Sequence, residues 1–417
     1  MHKGIKTCRI CGNKKLIPVL NLGVQVMTGV FPATKNEKVP SFPLKLVKCD
    51  EDARGNFCGL LQLEHSPAAD LMYGDNYGYR SGLNPSMVRH LQEKVKKILE
   101  TVKLKKDDLV IDIGSNDGTM LSAYPTESKP SLVGIDPTGK KFKKYYPKHV
   151  RLISNFFSAG LVKKAFGSKK AKIVTSIAMF YDLESPLDFV KEVASVLGKD
   201  GIWVFEQSYM PTMLAVNAYD TVCHEHLEYY RLKQIKWMLD RAGLKIIGVE
   251  LNDVNGGSFS VTAAQKGSKY TEATKEVANL LNSEKRGKLH TTEPYKAFEK
   301  RVHAHKKELL ALIRGLKKKG KKVMGWGAST KGNVVLQFCG FTVKDIPYVG
   351  EVNKDKYGSF TPGTKIPIRS EDEIKAMGAE YLLVLPWHFK PHFMRKEEAY
   401  RARGGKLIFP LPTVHIV

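Results

Sequence analysis

The chain has 417 residues, of which 42% are hydrophobic and 26% charged, which predicts two or three globular domains and excludes a disordered chain. No apolar run reaches the roughly 20 residues of a membrane span and no apolar signal core follows Met1, so a cytoplasmic protein with no membrane partner is expected. Lys+Arg 67 against Asp+Glu 42 leaves a net charge of +25, a surplus that suits nucleic acid, an anionic surface or phosphorylated substrates but equally fits solvated lysine faces.

Residues 1–66 are rich in Cys, Gly and Pro. Six cysteines in a chain this long do not read as a disulfide framework, and four of them are N-terminal. The pair Cys8-Arg9-Ile10-Cys11 presents two thiolates to one metal, and Cys49 and Cys58 complete a tetrahedral set. Four soft thiolates favour Zn2+, and a closed ligand set gives it a structural role. A helical pattern follows over 82–104, with Met87, Leu91, Val95, Ile98, Leu99 and Val102 in step.

Apolar runs at 109–113, 131–136, 173–177 and 201–206, separated by helical patterns such as 186–197, predict a parallel doubly wound sheet. Runs at 244–247 and 258–262 flank Asn255-Gly256-Gly257 and predict an antiparallel closing pair. Residues 271–319 are polar and helical, and are read as connecting helices. Strand patterns restart at 322–325, 345–349, 381–385 and 406–409. The expected α/β organisation is therefore a zinc-binding domain (1–66), a Rossmann-like domain (67–265), connecting helices (266–319) and a second Rossmann-like domain (320–417).

Two stretches carry the chemistry. Asp112-Ile113-Gly114-Ser115-Asn116-Asp117-Gly118 follows a strand directly. Gly114 permits close approach of a ligand to the backbone, and Gly118 lets the next helix start against the sheet. Asp136 ends the second strand, where a carboxylate takes the hydroxyls of a ribose. Together they resemble the S-adenosylmethionine site of class I methyltransferases. The second stretch, Cys223-His224-Glu225-His226 with Glu228, Tyr229 and Tyr230, follows the strand ending at Glu206. Histidines among carboxylates suit proton abstraction. A His-x-His metal reading is weaker, because no His-Glu-x-x-His is present.

With these motifs the chain resembles, nearly end to end, the deoxysugar C-methyltransferase family, which methylates carbon 3 of nucleotide-linked 4-keto-6-deoxysugars. The resemblance rests on the Cys-x-x-Cys unit, the Asp112–Gly118 turn and the His224-Glu225-His226 loop. It also rests on Tyr77-Gly78-Tyr79-Arg80-Ser81-Gly82, Gly325-Trp326-Gly327-Ala328-Ser329-Thr330-Lys331-Gly332-Asn333, Pro362-Gly363-Thr364 and Leu385-Pro386-Trp387-His388-Phe389. It implies His226 as general base with Glu225 and His224 beside it, and Tyr79 and Tyr77 near donor and sugar. It implies Asp112, Gly114, Asn116, Gly118 and Asp136 around the S-adenosylmethionine. Lys331, at a helix start that suits a nucleotide diphosphate, joins Asn333, Asn255 and Asp182 toward the substrate.

Two departures stand out. Cys223 occupies the place of a family tyrosine, and Asp182 stands near the place of a family histidine. Both bear on the substrate more than on the reaction. The partner implied is a small molecule, a nucleotide-linked sugar, acted on by a monomer. O-methylation of a hydroxyl is the alternative within the class. RNA methylation is disfavoured, because Asn/Asp-Pro-Pro-Tyr is absent after the third strand and neither Cys223 nor Cys339 follows proline. A binding module without catalysis is disfavoured because both motifs are intact.

Overall fold

The computed structural model describes residues 2–52, 55–72 and 78–417, so the expectation for Tyr77 lies outside the described residues. Among these, sheets of seven, six and four strands carry the fold, with one two-stranded ribbon.

The seven-stranded sheet runs, edge to edge, Leu244–Asn252, Ser258–Gln265, Leu197–Ser208, Ala171–Ile177, Leu109–Ile113, Ser131–Ile135 and Val150–Ile153. The last five are parallel, and Ser258–Gln265 is antiparallel to both neighbours. Leu109, Ile111 and Ile113 enter one apolar cluster and Val110 another, so this strand is buried on both faces and reads as an unbroken apolar run. The chain leaves Leu109–Ile113 toward one edge and Ala171–Ile177 toward the other. Their carboxyl ends therefore part and open the crevice in which such sheets hold ligands.

The six-stranded sheet repeats the device. Its order is Ile368–Ser370, Val349–Glu351, Val323–Trp326, Tyr381–Val384, Lys406–Phe409 and His415–Ile416, parallel except at the last pair. The chain leaves Val323–Trp326 and Tyr381–Val384 in opposite directions, making a second crevice. The strand expected at 345–349 begins only at Val349. Asp345 instead accepts the Thr342 N–H at 3.1 Å and closes a turn, and Pro347 has no N–H to give a ladder.

The N-terminal sheet is completed from outside its own segment. Leu16–Val26, Ser41–Cys49 and Leu61–Leu63 are joined by Glu228–Tyr229, which pairs antiparallel with Leu61 and Gln62. Leu20, Leu44 and Leu61 share one core with Trp326 and Val334 of the C-terminal unit. The helix Glu293–Lys318 buries Tyr295, Phe298, Val302, Leu309 and Ile313 in that core. Expected as a connector, it is a packing element, because its apolar residues recur at three- to four-residue spacing on one face.

Candidate active site

The four N-terminal thiolates converge. All four Sγ atoms lie within 4.8 Å of one another, with Cys8–Cys58 at 3.5 Å and Cys11–Cys49 at 3.6 Å. Tetrahedral zinc with Zn–S near 2.3 Å sets sulfurs about 3.8 Å apart, so the donor set fits Zn2+. The knuckle braces the segment beyond His226. Gln234 Nε2 donates to the Cys58 carbonyl at 2.7 Å, Trp237 Nε1 to Gly55 O at 3.2 Å, and Leu63 N–H to Leu227 O at 2.8 Å.

At the first crevice, Gly114 takes φ +71° and is the one residue of 114–118 that is not buried. A Cβ there would stand 2.9 Å from the Met179 side chain. Beside it Ala178 is held at φ +54°, its N–H donating to Glu206 O at 2.7 Å. A left-handed alanine is costly and marks a site where the surroundings impose the conformation. Asp136 accepts the Asn116 N–H at 2.8 Å on Oδ2, and the Thr138 N–H and hydroxyl at 2.6 Å each on Oδ1. It therefore shapes the turn while keeping a free lone pair, since a carboxylate has about four acceptor sites. A backbone left bare at Gly114 and a carboxylate one strand away fit S-adenosylmethionine.

Other residues of the motif take different work from that expected. Asp112 is buried beneath the turn, accepts the Thr175 hydroxyl at 2.6 Å and is pushed up to about 7 by burial, so it is an internal support. Asn116, at φ +50°, accepts the Ser81 N–H at 2.9 Å and donates to the Tyr79 carbonyl at 3.1 Å. Asp117 accepts the Gly82 N–H at 2.9 Å. The segment 79–82 is thus strapped to the turn, with the Tyr79 side chain half exposed. Gly118, at φ +76°, leaves room for the Tyr146 ring, 2.9 Å from where a Cβ would be.

The His-Glu-His loop lies between the two crevices. His226 Nδ1 donates to Thr221 O at 2.8 Å, and the Tyr181 ring meets the imidazole edge-on at 4.3 Å. Burial, with the Lys331 cation adding to it, lowers the His226 pKa to about 3. The imidazole is therefore neutral, and Nε2 carries its lone pair. His224 faces the other way. It is buried, sits 3.3 Å from Phe42 O through Nε2, and is lowered to about 4 by burial, so it anchors the loop to the N-terminal sheet. Glu225 does not orient His226; Thr221 does. The Glu225 carboxyl lies against Gly29 near Thr330 and is raised by burial. Asp182 sits on the 180–182 turn beside Tyr181, and its charge, after burial and Glu225, helps raise the Cys223 thiol.

The second crevice closes onto this loop. Lys331 Nζ donates to Asn255 O at 3.0 Å, in the turn that joins the antiparallel strands. Trp387 Nε1 donates to Asp220 Oδ2 at 2.7 Å, next to the residue that aims His226. Gly327 takes φ +83° and leaves room for Pro386, whose Cδ would stand 2.6 Å from a Cβ there. Asn333 is not in the cleft: it is fully buried and donates to Thr28 O at 2.8 Å, pinning the helix Thr330–Cys339 to the N-terminal unit. Sequence reasoning missed Thr221, Tyr181 and Met179, because no motif distinguishes them.

Comparison with known proteins agrees with this layout. A "zinc binding domain" family matches residues 8–73, a "Methyltransferase domain" family residues 87–249, and a "C-methyltransferase C-terminal domain" family residues 253–412. The C-methyltransferase NovU of Streptomyces niveus is 28% identical over 416 residues, 99% of this chain and 97% of that one. A chain from the complex of the Haloferax volcanii Trm112 methyltransferase activator with a methyltransferase is 14% identical over 43% of this chain and 95% of its own, with a TM-score of 0.35. An S-adenosylmethionine-dependent methyltransferase from Clostridium acetobutylicum is 11% identical over 43% of this chain and 92% of its own, with a TM-score of 0.32. Among the described residues, no helix is long and apolar enough to cross a membrane. With zinc-binding, methyltransferase and C-methyltransferase C-terminal matches following one another along the chain, and a C-methyltransferase relative similar to it end to end, this chain is an S-adenosylmethionine-dependent methyltransferase with the layout of a C-methyltransferase.

Proposed function

We propose that the chain methylates carbon 3 of a nucleotide-linked 4-keto-6-deoxysugar, with His226 as general base. The observation that carries this reading is the neutral His226, its Nδ1–H committed to Thr221 and its Nε2 lone pair left for a substrate proton. When bound at the Gly114 crevice, S-adenosylmethionine supplies an electrophilic methyl group. The protein's own task is to make a carbon nucleophile.

A hydrogen beside a ketone is acidic enough for imidazole once the developing oxyanion is stabilised. His226 takes that proton at Nε2, with Thr221 holding the ring and Tyr181 packed against it. Lys331 places a positive charge in the same cleft, where negative charge grows on oxygen. Asp136, Asn116 and Asp117 hold the donor turn and the 79–82 strap, so that the reacting partners meet aligned.

The test is incubation with a nucleotide-linked 4-keto-6-deoxyhexose in heavy water, read by mass spectrometry. Deuterium uptake without the donor and one carbon-bound methyl with it are expected. Methylation with no deuterium uptake would point to a hydroxyl acceptor and overturn the reading.

A further inference from the structure

His388 has not been given a role by anything above. It lies in Leu385-Pro386-Trp387-His388-Phe389, just past the strand Tyr381–Val384, on the wall of the second crevice. Its neighbours place it beside the Asn255–Gly256 turn that Lys331 holds. A side chain at Gly256 would meet Trp387 at 3.6 Å and His388 at 3.7 Å, and Lys331 holds the carbonyl of the adjacent Asn255. Among the described residues the Nδ1 of His388 is shut off from solvent and has no hydrogen-bond partner. A buried polar atom without a partner costs about 1–3 kcal/mol, and native structures leave few such groups. His388 is only partly buried, so with Nδ1 enclosed it is the Nε2 edge of the ring that a ligand can meet.

The charge state says which kind. Burial first, and the Lys331 cation second, push the His388 pKa well below its ordinary value. The same ammonium acts on His226, so one cation biases both imidazoles toward the neutral form. A neutral imidazole is a poor partner for a phosphate, which prefers full positive charge, but a good N–H donor to an oxygen that becomes negative during reaction.

We propose that His388 is a catalytic residue that donates an imidazole N–H to the ketone oxygen of the substrate, sharing with Lys331 the stabilisation of the enolate. This rests on the reading given under Proposed function. In the step, the C–H bond breaks and its proton goes to His226 Nε2. Its electron pair forms the carbon–carbon double bond, and the carbonyl pair moves to the oxygen that His388 and Lys331 face. His388 does not change protonation state.

The experiment compares wild type, His388→Gln and His388→Phe with a nucleotide-linked 4-keto-6-deoxyhexose in heavy water, without the methyl donor. Deuterium uptake at saturating sugar is the first readout. Calorimetric affinity for the free nucleoside diphosphate is the second, and thermal unfolding checks that each variant folds. His388→Phe is expected to slow uptake roughly 10²- to 10³-fold, the usual effect of losing one oxyanion donor, with nucleoside diphosphate affinity within twofold of wild type. His388→Gln keeps an N–H donor and should recover part of the rate. Uptake at the wild-type rate in His388→Phe overturns the proposal, as does an unchanged saturated rate with weakened diphosphate binding, which would make His388 a phosphate ligand. If wild type itself exchanges nothing, the ketosugar reading fails, and the two failures are told apart.

Discussion

The Nδ1–H of His226 is given to the main-chain oxygen of Thr221 across 2.8 Å, and this bond decides which nitrogen of the ring is basic. Thr221 closes the turn Tyr219–Thr221, whose Asp220 is hydrogen-bonded to Trp387 of the C-terminal unit. The direction of the imidazole is thus held from both α/β sheets at once.

His226→Gln keeps a side chain of similar reach but no basic nitrogen. Both deuterium uptake and methylation should fall by roughly 10²- to 10⁴-fold, the usual worth of a general base. Affinity for S-adenosylmethionine, measured by calorimetry, should stay within a few-fold. An active variant would remove His226 from the mechanism.

An imidazole lowered to about 3 stays unprotonated through the neutral range. The pH profile of kcat/KM should therefore show no acid limb near 6.5, and activity should persist until well below it. Removing a positive charge makes protonation of the imidazole easier, so Lys331→Met should move the acid limb upward toward 6.5. A wild-type limb already at 6.5 would contradict this electrostatic account.

His224 predicts a stability effect of opposite visibility. It is lowered to about 4 in the folded protein by burial, whereas an unfolded histidine protonates near 6.5. Between those values the unfolded chain binds the extra proton, so its contribution is present above pH 6.5 and is lost as pH falls toward 4. From pH 6.5 to 5 the loss is about 2 kcal/mol. Urea unfolding should show His224→Gln flattening this dependence relative to wild type.

Zinc removal should reach the active site through backbone. Cys58 carries the carbonyl that Gln234 holds, and Leu63 holds Leu227 directly after His226. Chelation, or Cys58→Ser, should lower the unfolding midpoint on the order of 10 °C and reduce methylation in parallel. Full activity in metal-free protein, verified by elemental analysis, would show that the loop does not need the knuckle.

At Gly114 an alanine meets two penalties. Its φ of +71° costs a non-glycine residue about 1–2 kcal/mol, and its Cβ would stand 2.9 Å from Met179. Gly114→Ala should weaken S-adenosylmethionine binding by tenfold or more, and adding Met179→Ala should restore part of it. No recovery in the double variant would show that backbone strain alone is responsible.

Much of this layout was legible in the chain. Strands buried on both faces, such as Leu109–Ile113, appear as uninterrupted apolar runs. The four cysteines announce a shared ligand because thiolates at knuckle spacing have little else to do. Asp136 was visible as a carboxylate at a strand end. The short strands Val150–Ile153 and Ile368–Ser370 were not, because three or four residues carry too little periodicity to register.

The sequence by itself determined the chemistry on offer: a glycine turn, four thiolates, a histidine loop and a lysine at a helix start. These are local facts, set by residue type and spacing. Only the tertiary structure decided their assignments. His224 and His226 are two residues apart, yet one is spent on Phe42 and the other faces the cleft. Asn333 and Lys331 share a helix turn, yet one binds Thr28 and the other reaches Asn255. The reason is physical: a side chain's role depends on which groups from other parts of the chain meet it, and burial and neighbouring charge then set its proton state.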